Sequence, residues 1–412
     1  MTWLLLACGP RLPEVGVPPE GRAHAPEAPA LPDAPDGPTP ADPVLADWTI
    51  LVFLNGDNDL ERWALADLYE MEAAGNSSRV HVVVQFDRSP DFDTSEGDWT
   101  GARRYRVEAD VDPLVIDSPV LEELGDVDSG EPETVVEFVR WSAARFPARQ
   151  FALVLWDHGN GWTLAHEPSF SKGVSWDYTT GNSLSVARGE LKAALDGAAE
   201  ALGQPIDLFG IDACLMQTWE VAWVVQPYAR VYVASQDYEA VTGWAYHTTL
   251  ADLYADPGME PAALGDVVAR RFHESVDSTQ SVLDLDHLPA LTDALDAFAE
   301  AALASGDAAD VLEAAAPAQG FDGEGSTDND LVDLFEHLAI RDAAASQAAA
   351  GARAAALEVV IANYTRGEDV AEANGLSIYA PPHGDVLDLY LDAEWADATL
   401  WDDLLVEGAR GR

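Results

Sequence analysis

The chain has 412 residues, 48% of them hydrophobic, enough to bury a large core in one or two domains without disulfide or metal staples. Its 73 Asp and Glu against 22 Lys and Arg leave a formal net charge of -51, which repels phosphate backbones and anionic membrane surfaces and so excludes nucleic acid as a partner. The same field draws cationic segments toward any cleft, although an acidic surface that merely keeps a salt-exposed protein soluble has the same composition.

The first segment, 1–8, is a short apolar run that ends in Leu5-Leu6-Ala7-Cys8 and resembles the lipobox of bacterial lipoproteins, with the lipid expected on Cys8. No Lys or Arg precedes it and it is shorter than an ordinary signal core, so a plain cytosolic N-terminus is the alternative reading. A start codon assigned too far downstream would account for both departures. Residues 9–47 are dense in Pro, Ala, Asp and Glu and cannot bury enough apolar surface to fold, so they read as an extended tether to a folded domain over 48–412. Tether and lipid together predict a domain held at the bacterial envelope or outside the cell, and a monomer is expected. No later stretch holds ~18 strongly apolar residues in succession, as a membrane-spanning helix requires.

Within the domain, apolar strand-like runs at Thr49–Leu54, Val80–Phe86, Phe151–Trp156, Ile206–Ile211 and Val231–Ala234 alternate with helical patterns at Leu60–Ala74, Glu133–Phe146, Gly189–Leu202 and Leu215–Val225. This alternation predicts an α/β fold with a largely parallel sheet covered by helices on both faces. Arg103–Val107 and Pro113–Ile116 read as an inserted hairpin, Ser281–Leu285 and Gly375–Ala380 as late strands, and Leu288–Ser305 and Ala343–Tyr364 as Ala-rich helices of an extended C-terminal part. A glycine-rich phosphate loop and a dinucleotide fingerprint are both lacking from the sequence, so no nucleotide cofactor is expected.

Sites on parallel sheets form at the carboxyl ends of the strands. Two strands deliver reactive residues there: Leu153-Val154-Leu155-Trp156-Asp157-His158-Gly159 ends on a histidine in a glycine-rich turn, and Leu208-Phe209-Gly210-Ile211-Asp212-Ala213-Cys214 ends on the domain's one cysteine at an expected helix start. A thiol attacks as its thiolate, which a neighbouring imidazole and a helix N-terminus both favour. The separation, 214 − 158 = 56 residues with His first, is close to the roughly 50 of caspases. A lone cysteine is ordinarily a small core residue and a lone histidine a structural one. The pairing at two neighbouring strand ends favours catalysis, with the Gly159 and Cys214 amides as oxyanion donors.

These residues, with Asn55-Gly56-Asp57-Asn58-Asp59, Glu220-Val221-Ala222, Gly243-Trp244-Ala245-Tyr246 and Gly375-Leu376-Ser377-Ile378-Tyr379, resemble in order the motifs of the clostripain family of cysteine peptidases. The resemblance implies a caspase-like fold, hydrolysis by a His158–Cys214 dyad, and cleavage of peptides or proteins after Arg or Lys. It also implies Asp212 at the base of the specificity pocket, where a carboxylate meets a guanidinium or ammonium. Asp212 reads equally as the cap of a helix beginning near Leu215. Trp162 and Trp244 are pocket walls or core, and Asp57 and Asp59 belong to the family's early acidic motif or cap the first helix.

The segment Asp322–Asp330 offers hard oxygen ligands that suit calcium, which some family members use, but it lacks EF-hand spacing and reads equally as a solvated loop. Gln236 stands where relatives commonly carry Glu, which puts fine specificity in question. Lys172, the sole Lys or Arg between Gly159 and Ala187, is the expected point of self-cleavage. Two rival readings keep the fold: a surface lipoprotein that only binds basic peptides, and a transpeptidase or peptidase of other specificity.

Overall fold

In the computed structural model, which describes residues 45–110, 112, 114–162, 173–321, 326–383 and 386–411, the first apolar run forms the middle of strand β1 (Ala46–Gly56). Its side chains alternate between two cores. Trp48, Ile50, Val52 and Leu54 face one, and Leu51 and Phe53 face the other. Each such fully buried side chain contributes about 1.5–3 kcal/mol. A strand apolar on both faces belongs inside a sheet covered on both sides.

The remaining strands are β2 (Val80–Arg88), β3 (Gly101–Arg106), β4 (Val120–Gly125), β5 (Ala148–Trp156), β6 (Val174–Asp177), β7 (Asn182–Leu184), β8 (Ile206–Asp212), β9 (Ala229–Ala234), β10 (Thr279–Asp284), β11 (Asp328–Asp330), β12 (Val360–Thr365) and β13 (Ser377–Tyr379). The main sheet has nine strands in the order β12-β10-β9-β8-β5-β1-β2-β3-β4. Its centre, β9-β8-β5-β1-β2, is parallel. Antiparallel strands close both edges. Helices α1 (Glu61–Ala73), α2 (Pro132–Arg145), α3 (Glu190–Leu202), α4 (Trp219–Val225), α5 (Tyr246–Ala255) and α6 (Pro261–Ser275) divide between the faces. Leu65 and Leu68 of α1, Leu250 of α5 and Phe272 of α6 pack with Trp48, whereas Phe138 of α2, Leu195 of α3 and Val221 of α4 pack with Phe53.

Chain order reverses between β1 and β5, since β2 follows β1 on one side while β8 and β9 follow β5 on the other. Crevices open at the carboxyl ends of strands around such a reversal. That edge carries the loops after β1, β5 and β8.

Four expected elements differ. The second strand of the hairpin lies at β4, not Pro113–Ile116. The helix expected over Leu215–Val225 is α4, beginning only at Trp219, with the Thr218 hydroxyl accepting from the Val221 amide as its cap. The Ala-rich helix ends at Val359, where Val360-Ile361 leave it to pair antiparallel with β10; β-branched residues suit that strand. The Gly375–Ala380 run forms only β13, paired with β11 outside the main sheet. Cys8, the expected lipid site, and all but the last three residues of the expected 9–47 tether lie outside the described residues, and the first strand opens at Ala46, slightly before Trp48.

Candidate active site

Trp156 of β5 stands opposite Asp212 of β8 in the parallel register, and the Asp157 amide donates to the Asp212 carbonyl at 3.3 Å. His158 and Cys214 each follow two residues beyond that pair, so they emerge side by side. Gly159 tightens the approach, because a Cβ there would meet the Cys214 carbonyl oxygen at 2.5 Å and the Ala213 Cβ at 2.9 Å. Only glycine lets the histidine loop lie against the cysteine loop.

Asp157 anchors the histidine loop from within. Its buried carboxylate accepts from Asn55 Nδ2 (3.0 Å), Asn58 Nδ2 (2.7 Å), the His158 amide (2.6 Å) and the Trp176 amide. Burial holds its pKa well above the usual carboxylate range, against the pull of those donors. The His158 ring stacks on Trp176 with centroids 4.9 Å apart and planes at 29°. Its Nε2 lies 2.9 Å from Asp59 Oδ1. Partial burial raises the Asp59 pKa, but hydrogen bonding and charge attraction from His158, with a hydrogen bond from Tyr178, prevail and leave it below the ordinary value.

Asp59 is therefore a partner of the histidine and no helix cap: α1 has Leu60 at its N-cap with no side-chain cap, and the Leu60 amide donates to Asn58 Oδ1. With a neutral imidazole giving its Nε2–H to Asp59, Nδ1 keeps a lone pair and can act as base.

Cys214 is a free thiol in a turn, not at a helix start, so no helix dipole acts on it. Leu215 after it has φ +64°, a conformation costly for a side-chain-bearing residue. The sulfur accepts from the Glu239 amide at 3.3 Å and donates to its carbonyl at 3.8 Å. Burial raises the thiol pKa, so in the resting arrangement it holds its proton. It and His158 line one cavity of about 240 Å³ without a hydrogen bond to each other.

The floor of this cavity is acidic. Asp212 is buried, and its Oδ2 accepts from the Trp244 amide (3.1 Å) and the Tyr246 hydroxyl (2.9 Å). The helix-cap reading of Asp212 is thus replaced by one in which it faces the cavity. Glu239 is hydrogen-bonded to Asp212, and its Oε2 is buried without a partner. Asp67 of α1 accepts from Trp156 Nε1 at 2.6 Å. Gly243, at φ +56°, sits where a Cβ would meet Asp67 Oδ2 at 2.9 Å and Asp212 Oδ2 at 3.1 Å. Burial pushes the Asp212 pKa up to about 6, with hydrogen bonds from Glu239, Trp244 and Tyr246 opposing it, and holds Asp67 and Glu239 well above their usual range. Asp67 and Glu239 were not foreseen in the sequence, for they lie 212 − 67 = 145 and 239 − 212 = 27 residues from Asp212.

Neither of the two expected wall residues lines the cavity. Trp162 is fully buried among Tyr379, Tyr390 and Trp395, with Nε1 donating to Asp328 at 3.2 Å. The Trp244 ring packs over Gly210, where a Cβ would meet it at 2.4 Å, while its backbone amide donates to Asp212 and its indole hydrogen-bonds Glu239. Gln236 is also away from the cavity. Its Nε2 donates to Asp330 and Ser377 and its Oε1 accepts from the Gly375 amide at 2.7 Å, a division of roles that an ionised Glu cannot fill. In the stretch proposed for calcium, residues 322–325 lie outside the described residues, while Asp330 binds the Asp333 and Asn374 amides and Asp328 binds Trp162. Lys172 also lies outside the described residues.

The sequence model of the clostripain family matches residues 52–407. Clostripain of Hathewaya histolytica is 26% identical over 193 residues, spanning 43% of this chain and 36% of that protein's length. A secreted C11 cysteine protease of Bacteroides thetaiotaomicron, solved with an irreversible peptide inhibitor, superposes with a TM-score of 0.65 at 21% identity, covering 87% of this chain and all (100%) of that one. An inactive zymogen C11 protease of Parabacteroides distasonis gives 0.64 at 20% identity over 87% and 99% of the two chains. These superpositions establish a shared caspase-like α/β fold.

Proposed function

The chain belongs to the clostripain family, and from that premise we propose that it is a cysteine endopeptidase that cleaves after Arg or Lys through His158 and Cys214. The observation that carries this reading is one cavity lined by His158 and Cys214 together with Asp212, Glu239 and Gly243. Asp67, Asp212 and Glu239 have no Lys or Arg partner among the described residues, and Glu239 Oε2 has no partner there at all. Buried carboxylates in that state are stabilised by an incoming guanidinium or ammonium.

In the mechanism, the substrate's basic side chain enters between Gly243 and Glu239 and its carbonyl lies over Cys214. His158 Nδ1 takes the thiol proton, and the thiolate attacks the carbonyl carbon. The Gly159 and Cys214 amides hold the oxyanion. The C–N bond breaks as His158 returns the proton to the leaving amine. Water, deprotonated by His158, then attacks the thioester, and the acid departs as the thiol is restored. Asp59 keeps the imidazole in the required tautomer and steadies it when charged.

The expected location is the cell envelope or the exterior, with Cys8 lipidated and the 9–47 segment as tether. A peptidyl chloromethyl ketone ending in arginine tests the core of the reading. It is expected to add once, at Cys214, and to outpace a congener ending in leucine. No adduct, or equal rates for both, would remove the basic specificity; an adduct elsewhere would remove the nucleophile.

A further inference from the structure

Behind the histidine loop lies a second acidic cluster that the mechanism does not use. Asp57 follows β1, Asp87 lies in β2, and Asp177 ends β6. One carboxylate oxygen from each lies within 4.8 Å of the others, and all three residues are buried. Asp57 is 2% exposed, and its Oδ1 has no hydrogen-bond partner. The charged neighbours of Asp87 are themselves acids, Asp177, Asp57 and Asp126. The surrounding donors are neutral: Ser129 Oγ to Asp87 (2.7 Å), the Ser129 amide to Asp177 (2.9 Å) and the Thr180 amide to Asp177 (2.8 Å). They orient the carboxylates without neutralising them.

We propose that Asp57, Asp87 and Asp177 form a divalent-cation site of the calcium class. Every donor is a hard oxygen, which excludes zinc- and copper-type selectivity. Three buried protein carboxylates at one point suit calcium, which takes many oxygen ligands in a flexible geometry, whereas magnesium keeps several waters and is ordinarily held by one or two carboxylates. The ion gives Asp57 Oδ1 a partner and offsets the mutual repulsion of three buried acids.

The site would join β2 to two segments that frame His158. Asn58 and Asp59 follow Asp57, and they hold Asp157 and His158 respectively. Trp176 and Tyr178 flank Asp177; the first stacks on His158, and the Tyr178 amide donates to the Asp57 carbonyl at 2.8 Å. A bound ion would thus fix the loop after β1 against the β6–β7 hairpin, and with them the face on which His158 rests.

The experiment uses the full chain carrying Cys214→Ala, stripped with chelator and kept in excess magnesium and physiological salt to suppress loose binding to the acidic surface. Terbium luminescence excited through tryptophan should saturate at one ion per chain and be displaced by calcium. Calcium should raise the melting temperature by about 4 °C at a hundredfold excess over its dissociation constant. Asp57→Asn and Asp87→Asn should each lose at least tenfold in affinity and lose the calcium-dependent rise, while melting in chelator no lower than the parent, because each removes a buried repulsion. In crystals grown with calcium, the ion should lie between the three carboxylates, a readout that needs no variant to fold. No saturable binding by the parent chain, undiminished affinity in both variants, or an ion found elsewhere would overturn the proposal.

Discussion

Trp156 and Asp212, opposite each other at the carboxyl ends of β5 and β8, are also joined through a third residue: Asp67 accepts the Trp156 indole N–H at 2.6 Å and faces Asp212 across Gly243. The strand pairing that sets the depth of His158 and Cys214 therefore also fixes them relative to the acidic floor. The residues proposed as base, nucleophile and specificity pocket are thus joined through one set of strand-end contacts, as preorganised catalysis requires.

The first consequence is kinetic. Cys214→Ala and His158→Ala should each lower kcat/KM by about 10³-fold or more, while unfolding free energy changes by no more than about 1 kcal/mol. Neither side chain is a core contact of weight: Cys214 packs only at the rim of a small cluster with Leu215, Phe321, Val370 and Ala373. Steady-state kinetics with thermal melts of both variants check this. Retained hydrolysis in Cys214→Ala would sink the dyad.

Asp59→Asn should lower kcat by about 10–100-fold with KM nearly unchanged, since Asp59 touches the histidine and not the cavity floor. Asn can accept the same N–H but carries no charge to steady the imidazolium. A rise in KM with kcat intact would make Asp59 a substrate contact instead.

Charge recognition should fade in acid. The Asp212 pKa of about 6 lies above its ordinary 3.8, so the carboxylate is ionised above pH 6 and progressively protonated below it. The carboxyls around it, Asp67, Glu70 and Glu239, are raised as well and titrate as a coupled group, while the Tyr246 hydroxyl, raised from an already high value, keeps its proton throughout. Benzamidine binding to the Cys214→Ala chain isolates the floor from the dyad. Its dissociation constant should rise about tenfold between pH 7.5 and 5. Asp212→Asn should weaken binding at pH 7.5 by about 10–100-fold and flatten that dependence. A flat profile in the parent would place charge recognition elsewhere.

His158 and Cys214 could be read from the sequence because each terminates a run of residues apolar on both faces, and such runs can only be interior parallel strands. The Cys214 turn could not. Leu215 and Met216 continue the apolar pattern toward Trp219, yet Leu215 adopts a left-handed backbone and Thr218, not Asp212, caps α4. Hydrophobicity reports burial without naming the core, so Trp162 and Trp244 were equally plausible against the cavity or beneath it. Asp67, Glu239 and the Asp57–Asp87–Asp177 group come together only through β-strand order, which no local pattern encodes. The β4 segment was missed for another reason: it is an edge strand, half exposed on both faces, and carries no alternation to detect.

Self-processing is expected after Lys172. The cut would free Gly173 as a new N-terminus beside the site, where its carbonyl accepts from the Asn160 amide at 3.2 Å and from the Trp176 indole. Incubated wild-type protein should yield two fragments beginning at their own N-terminus and at Gly173, as read by Edman or mass analysis. Lys172→Ala and Cys214→Ala should stay whole. A fully active single chain would refute obligatory processing and leave the dyad untouched.

The last prediction concerns Glu220, whose stability cost is separable from catalysis. It is fully buried on α4, where Oε1 accepts from the Tyr379 amide (3.0 Å) and the Tyr390 hydroxyl (3.1 Å), while Oε2 has no partner. Burial, with the nearby Asp328 charge adding to it, pushes its pKa from 4.5 to about 8. The folded state therefore binds this proton more tightly than the unfolded chain does. Its stabilisation is full below pH 4.5, falls as pH rises above that, and is lost by about pH 8, a total on the order of 5 kcal/mol. Glu220→Gln keeps an amide oxygen for both donors and removes the titration. Its melting temperature should exceed the wild-type value at pH 8 and approach it at pH 5, with Arg-substrate kcat/KM unchanged at both. A variant whose melting temperature tracks the wild type across this range would show that Glu220 does not govern the pH dependence of stability.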